Sequence, residues 1–210
     1  VQLHTGVPVS AIQECEDGLE VLIGDGDVFP ADFVVLGTGA EANTGIAEEA
    51  GVKVENGILV DAFNRTSDPA IFAMGDCCRQ ELSADRPATR LESVQNALDQ
   101  AKTVAGVLTG NPVPHQALPW FWSDQYDIKL QIAGLSTGYD QVILRGMGLP
   151  EKAFSAWYFR DSRLLAVDAV NDSTAYAVAS KLLKEGLQPD PALISELSVA
   201  TKQILTSARE

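Results

Sequence analysis

Hydrophobic and polar positions along this chain change period several times, and each change marks an element. Near the start, VPVSAIQEC and LEVLIG are apolar-rich runs divided by Glu16-Asp17-Gly18, a pattern of β structure closed by a turn. After GDGD, the stretch from Val28 to Asp32 leads into Phe33-Val34-Val35-Leu36. That run is short and continuous, which predicts a strand buried on both faces. The stretch from Thr44 to Ala50 predicts a short helix stopped at Gly51, and VKVENGILV predicts a hairpin turning at Asn56-Gly57. Ser67-Asp68-Pro69 is a turn signal before Ile71-Phe72-Ala73-Met74, a second short buried-strand pattern. It ends on a bare Gly75-Asp76. The stretch from Arg79 to Thr89 is polar and reads as a loop.

The period then shifts to that of a helix. Val94, Ala97, Leu98, Ala101, Val104, Ala105 and Leu108 recur at helical spacing between Glu92 and Gly110, and Gly110 with Pro112 ends the run. NPVPHQALP reads as a linker. Beyond it IKLQIAG, YDQVILR, KAFSAWYF and RLLAVDAV are strand patterns, the last two joined by a hairpin turn at Asp161-Ser162. Trp120 and Trp122 flank Phe121 on an extended segment, so both can point to one side. Helices are predicted from Ser173 to Glu185 and from Pro191 to Ser207. Strands followed by helices predict an α+β arrangement.

With 210 residues and 46% hydrophobic content, the chain can bury a real core. Its 29 acidic against 15 basic residues give a formal net charge of −14, which argues against nucleic acid as the main partner. Its 3 cysteines, Cys15, Cys77 and Cys78, are too sparse for a secreted disulfide framework, so a cytoplasmic location is expected. No apolar run reaches membrane-spanning length, and VQLHTGVPVS lacks the pattern of a signal peptide. The first residues read as if entered in mid-domain. His4 and His115 stand apart, and no metal-ligand spacing is present.

Two places suggest chemistry. GTGAEA, from Gly37 to Ala42, formally matches a dinucleotide-phosphate loop, but the short helix after it is a poor crossover for such a unit. At Gly75-Asp76, a glycine permits close approach to the backbone, and a carboxylate beside it can accept hydrogen bonds from hydroxyls, as a sugar or ribitol chain would offer. A capped turn explains the same residues. The start of the long helix faces back toward that strand end, an arrangement that suits an anion or a polar ring edge.

TSDPAIFAMGDC, RLESVQNALDQA and PWFWSDQYDIKLQIAG, in this order, resemble FAD-dependent ferredoxin reductases of the putidaredoxin and rhodocoxin reductase type, within the glutathione-reductase-like flavoproteins. LGTGAEANTGIAEEAGVKVENGILVD resembles the stretch joining the NAD domain back to the FAD domain. The resemblance covers nearly the whole chain. Members of that family are roughly twice this length, with a G-x-G-x-x-G loop in each of two Rossmann-type units. By resemblance this chain is their C-terminal half. Residues 1–40 would close the NAD-binding domain, 41–112 would be the second segment of the FAD-binding domain, and 113–210 a C-terminal domain. The fold class implied is α/β plus α+β: partial Rossmann-like FAD/NAD(P)-binding domains followed by an α+β reductase domain of the dimerisation or interface type.

The resemblance also implies roles. Asp76 would accept hydrogen bonds from the FAD ribitol, with Gly75 permitting the approach. The amides of Ser93 and Val94 would face the pyrimidine edge of the flavin, and Trp122 would pack near the flavin and nicotinamide rings. Glu92 would accept from the nicotinamide carboxamide, or simply favour the helix dipole. Gly37, Thr38 and Gly39 would lie near NAD(P)H, or form only a tight strand exit. Lys102, Arg79 and Arg90 are candidates for docking an acidic [2Fe-2S] ferredoxin, against the plainer reading of solvated charge. No side chain need act as acid, base or nucleophile. Adjacent Cys77-Cys78 would close a strained ring on oxidation, which makes a disulfide reductase the weakest reading.

The function implied is electron transfer from NADH through FAD to a ferredoxin feeding a P450 or dioxygenase system. With both phosphate loops outside this sequence, the 210 residues alone are expected to be inactive. The alternative is a non-catalytic docking or regulatory module derived from such a reductase. FVVLGTG and AIFAMG, which read as central strands awaiting neighbours, weigh against it.

Overall fold

The computed structural model describes residues 1–24, 26–80, 88–146 and 152–209. The chain divides into two compact units, Val1–Glu41 and Ala42–Glu210.

In the first unit, β1 (Val9–Cys15), β2 (Gly18–Ile23) and β3 (Asp27–Ala31) form an antiparallel meander with β2 in the centre. The turn at 16–17, and the turn residues Gly24 and Gly26, fall where the sequence places them. Phe33-Val34-Val35-Leu36 is not a strand. Among the described residues no ladder forms on either side of it, and Phe33, Val35 and Leu36 are 76%, 82% and 70% exposed.

The second unit begins with α1 (Gly45–Glu49). The VKVENGILV hairpin is reduced to one antiparallel bridge, Val54 to Ile58, around Asn56-Gly57. Beyond it, β4 (Ile58–Val60) instead pairs in parallel with β5 (Cys78–Gln80), which pairs in turn with β6 (Thr89–Arg90). These two strands overlap the ends of the Arg79–Thr89 stretch that sequence reads as a loop, and residues 81–87 of it lie outside the described ones. Ala47, Val52, Ile58, Val60, Ala73 and Cys78 form a small core under them. The Ile71–Met74 run is also no ladder strand. Its main chain is satisfied locally: Thr66 N donates to Ile71 O, Ala73 N to Asn64 O, and Asn64 Nδ2 to Ala73 O. The buried Asn64 side chain does the work of a neighbouring strand.

The long helix, α2 (Val94–Leu108), starts at an extended Ser93 whose Oγ accepts from Asn96 N at 3.1 Å. Most of its apolar stripe lies off its buried face. Val94, Leu98 and Leu108 are exposed, whereas Asn96, Gln100, Thr103 and Val104 are buried. The reason is hydrogen bonding. This face meets main-chain groups and Gln80, so it needs donors and acceptors.

The last part is an antiparallel sheet in the order β7-β8-β11-β10-β9, from β7 (Trp120–Gln125), β8 (Ile128–Gly134), β9 (Gln141–Arg145), β10 (Phe154–Arg160) and β11 (Arg163–Val170). All four patterns predicted as strands form, and the tryptophan segment adds an edge strand. Gly134, at φ +84°, lets β8 approach β11 so closely that a Cβ there would stand 2.2 Å from Leu165 O. One sheet face carries Trp157, Phe159, Leu164 and Val167 against α3 (Ser173–Glu185), α4 (Pro191–Ser195) and α5 (Thr201–Ser207). α3 has the predicted bounds because Asp172 caps its first turn and Gly186 takes the left-handed conformation after its last. The helix expected over 191–207 is broken in two. Buried Arg145 draws the carbonyls of Ile194, Glu196 and Val199 to its guanidinium, and that geometry takes them out of a continuous helical ladder.

Candidate functional site

The Gly75–Asp76 turn lies directly on α2. Gly75 has φ +81°, and a Cβ built there would touch Ala97 Cβ at 3.6 Å. The backbone conformation, not space, is what asks for glycine. Gly75 N donates to Gln100 Oε1 at 2.7 Å, and Cys78 N returns to Gly75 O at 3.0 Å. Asp76 is exposed; its carbonyl accepts from Arg90 Nη1 at 3.3 Å, while its carboxylate takes no hydrogen bond among the described residues.

Arg90 links this turn to the start of α2, because the same Nη1 also pairs with the carboxylate of Glu92. Ser93 satisfies Asn96 N through its hydroxyl and Ala97 N through its carbonyl. The amides of Ser93, Val94 and Gln95 have no hydrogen-bond acceptor among the described residues. They are the open positive end of a helix of 15 residues.

Glu92, Ser93 and Val94 line one side of a cleft of about 200 Å³, and Phe121 and Trp122 line the other. Trp122 is half exposed and rests on Trp120, with ring centroids 5.1 Å apart. Trp120 lies further in, 6.4 Å from Tyr176. The cleft therefore offers a helix N-terminus on one wall and aromatic faces on the other. An unpaired carboxylate stands on the turn that packs against the same helix. That set suits a planar ring with an electron-rich edge and a polyol tail: dipole for the edge, aromatic for the plane, carboxylate for the hydroxyls.

Six of the expected residues, Gly75, Asp76, Glu92, Ser93, Val94 and Trp122, thus belong to one connected region. Gly37, Thr38 and Gly39 belong to the first unit, where they are exposed and outside any strand. Of the basic residues, Lys102 is 73% exposed and, among the described residues, pairs with Asp99 in its own helix. Arg79 is held by Glu55 and the Ala88 carbonyl, and Arg90 by Asp76 and Glu92, so both guanidinium groups serve the fold. Cys78 is buried in β5. Burial, with Cys77 beside it, pushes its thiol far above the ordinary range, against the depressed value that a reactive thiolate requires.

A buried group that sequence reasoning leaves unassigned lies beneath this region: Gln80, Gln100 and His115. Burial holds the His115 ring below its ordinary pKa, and nearby Asp99 raises it only partly back. Asp99 itself is lowered: burial opposes this, but hydrogen bonds from Gln95 and Lys102 outweigh it. The one signal in the sequence is polar residues at helical spacing with each other, Asn96, Gln100 and Thr103, on a helix of otherwise clear amphipathic pattern. Among the described residues no cluster of histidine, cysteine and carboxylates is suited to a metal ion, and no helix is long and apolar enough to cross a membrane.

Residues 1–101 match the pyridine nucleotide-disulphide oxidoreductase family and residues 120–205 match the reductase C-terminal family, so the two matches together take in most of the chain. Putidaredoxin reductase of Pseudomonas putida is 40% identical over 212 aligned residues, which take in 100% of this chain and 50% of that protein. Rhodocoxin reductase of Rhodococcus erythropolis is 44% identical over 163 residues, 78% of this chain and 38% of that one. The crystal structure of the ferredoxin reductase for the CYP199A2 system of Rhodopseudomonas palustris superimposes with a TM-score of 0.90 at 40% identity, covering 97% of this chain and 50% of that one. The reductase in the covalent putidaredoxin reductase–putidaredoxin complex superimposes at 0.89, also at 40% identity, over 98% of this chain and 50% of that one. The chain spans about half the length of the curated relatives it matches.

Proposed function

We propose that these residues form part of an FAD-dependent NAD(P)H:ferredoxin oxidoreductase, which passes electrons from NADH through FAD to a [2Fe-2S] ferredoxin serving a P450 or dioxygenase system. The observation that carries this reading is the convergence of the Asp76 carboxylate, the open N-terminus of α2 and Trp122 on one region. FAD would supply the conversion of a two-electron donor into one-electron steps.

The chain's own residues would bind, orient and tune. Asp76 accepts from the ribityl hydroxyls. The amides of Ser93 and Val94 lie at the pyrimidine edge, where negative charge develops on reduction, and a helix N-terminus stabilises such charge by ~0.3–2 kcal/mol. Trp122 covers the ring face, and Glu92, already oriented by Arg90, accepts from the carboxamide. Gly37, Thr38 and Gly39 serve the NAD(P)H side. Lys102, exposed on α2 and paired with Asp99, is the docking candidate for an acidic ferredoxin. The boundaries near 40 and 112 divide NAD, FAD and C-terminal segments, and a cytoplasmic location fits this electron chain.

The test uses the full reading frame that contains these residues. Wild-type protein is expected to hold FAD and to reduce a [2Fe-2S] ferredoxin with NADH, and Asp76→Ala is expected to lose FAD on dialysis. An Asp76→Ala protein that keeps FAD with wild-type affinity overturns the ribityl assignment.

A further inference from the structure

Beneath the Gly75–Asp76 turn runs a chain of buried polar side chains. Gln100, Gln80 and His115 are 2%, 1% and 6% exposed. Gly75 N donates to Gln100 Oε1 at 2.7 Å, and Gln100 Nε2 donates to Gln80 Oε1 at 3.3 Å. Gln80 Nε2 donates to the Asp61 carbonyl at 3.1 Å. His115 Nδ1 stands 2.7 Å from the same Gln80 Oε1, and its main-chain N donates to the Ala62 carbonyl at 2.7 Å.

Backbone groups at both ends fix the polarity of this chain. An N–H only donates, so Gln100 presents its oxygen to Gly75 and its NH2 inward. A carbonyl only accepts, so Gln80 presents its NH2 to Asp61 and its oxygen inward. The two requirements meet in one consistent bond between the glutamines. His115 Nδ1 then faces an oxygen and must carry the hydrogen, which leaves the Nε2 lone pair of the neutral ring buried and without a partner among the described residues. Among the described residues, the carboxylates nearest this chain are already paired. Asp99 is tied to Gln95 and Lys102, and the Asp61 carboxylate accepts from Phe63 N and Arg65 N.

The turn needs such an anchor. The Ile71–Met74 run is held by residues 64–66 only as far as Ala73. Beyond that point, Gly75 N on Gln100, Gly75 O on Cys78 N and Asp76 O on Arg90 are the bonds that place the acidic residue. We propose that His115, Gln80 and Gln100 are positioning residues, which hold Gly75 N, and through it the Asp76 carboxylate, where the ribityl hydroxyls of the flavin bind. This rests on the reading of Asp76 as ribityl ligand. None of the three touches the reacting atoms. Their effect falls on flavin affinity.

Gln100→Glu provides the test, because it makes polarity titratable. A glutamate accepts from Gly75 N in either state. Ionised, it turns an acceptor toward Gln80 Oε1; protonated, it donates there and restores the native order. In the full-length protein, FAD affinity of Gln100→Glu is expected to fall about tenfold against wild type near pH 8 and to recover toward wild type as pH is lowered to about 5.5. Gln100→Met is expected to stay weak at both. His115→Asn, which keeps a donor near the Nδ1 position, should bind FAD better than His115→Leu. A readout free of flavin is the Gly75 amide proton shift by NMR in the apoprotein, retained in Gln100→Glu and lost in Gln100→Met. If both Gln100 variants bind FAD as wild type does while Asp76→Ala does not, the positioning role is overturned and the ligand role stands. If Asp76→Ala also binds normally, both fall.

Discussion

Replacing Ser93 separates two jobs that one residue performs at the start of α2. Its hydroxyl accepts from Asn96 N at 3.1 Å, and its backbone is extended, at φ −155° and ψ 144°, as an N-cap requires. Ser93→Ala removes that bond and leaves one more amide open, a loss of about 1 kcal/mol within a range of roughly 0.5–2. For a chain of this size that lowers Tm by about 2–4 °C. Trp120, Trp122 and Trp157 all lie in the second unit, so tryptophan fluorescence during thermal unfolding follows the unit that contains the helix. Ser93→Asp keeps an acceptor at the cap and should hold Tm near wild type. It also places a carboxylate beside the amides proposed to face the flavin. There it opposes the charge that builds on reduction, by an amount comparable to the helix-end effect of ~0.3–2 kcal/mol. For a two-electron couple this is roughly 6–43 mV of lower midpoint potential. The two variants should therefore dissociate: alanine acts mainly on Tm, aspartate mainly on potential. Equal Tm losses would show that the cap bond does not fix the helix start. A flavin potential unmoved by aspartate would refute the placement of the pyrimidine edge at this end.

Arg145→Met leaves the carbonyls of Ile194, Glu196 and Val199 without their shared donor, a loss of about 2–4 kcal/mol. Limited proteolysis should then open the 196–200 segment; a digestion pattern like wild type would show that the clamp is dispensable. Neutral His115 gives a stability contribution that is full above its unfolded pKa of about 6.5 and is lost as pH falls through the lower folded value. Urea midpoints between about pH 8 and 5 should fall in wild type more steeply than in His115→Asn, and parallel curves would count against the buried neutral ring. Tyr158 is pushed up to about 12, by burial and then by its hydrogen bond to Asp168. Its contribution should hold below the ordinary tyrosine value of about 10 and disappear as pH rises through the folded one. Ultraviolet titration of Asp168→Asn should show that phenol ionising earlier; an unchanged titration would remove the Asp168 bond as a cause.

What sequence could show here follows from which interactions are local. α3 is legible to the residue because its cap, its apolar face and its terminal glycine are all within it or beside it. The sheet strands are legible because each alternates against a single core. Three readings fail for lack of non-local information. Phe33–Leu36 has the composition of a buried strand, but burial depends on pairing that composition does not supply. The break after Ser195 is imposed by Arg145, about fifty residues earlier, so no breaker residue announces it. The stripe on α2 is real, yet the helix turns its polar side inward, because the neighbouring main-chain ends have to be hydrogen-bonded.

That inversion links fold to function. A helix that buried its apolar stripe would pack well against β5 and leave Gly75 N without an acceptor. Placing Gln100 there gives up some apolar burial and gains a fixed position for the residue next to Asp76. The exposed stripe of Val94 and Leu98 then starts at the cleft, beside Trp122, rather than in the core. The same rotation of α2 thus sets both halves of the site: the buried amides anchor the acidic turn, and the open first turn faces the aromatic wall.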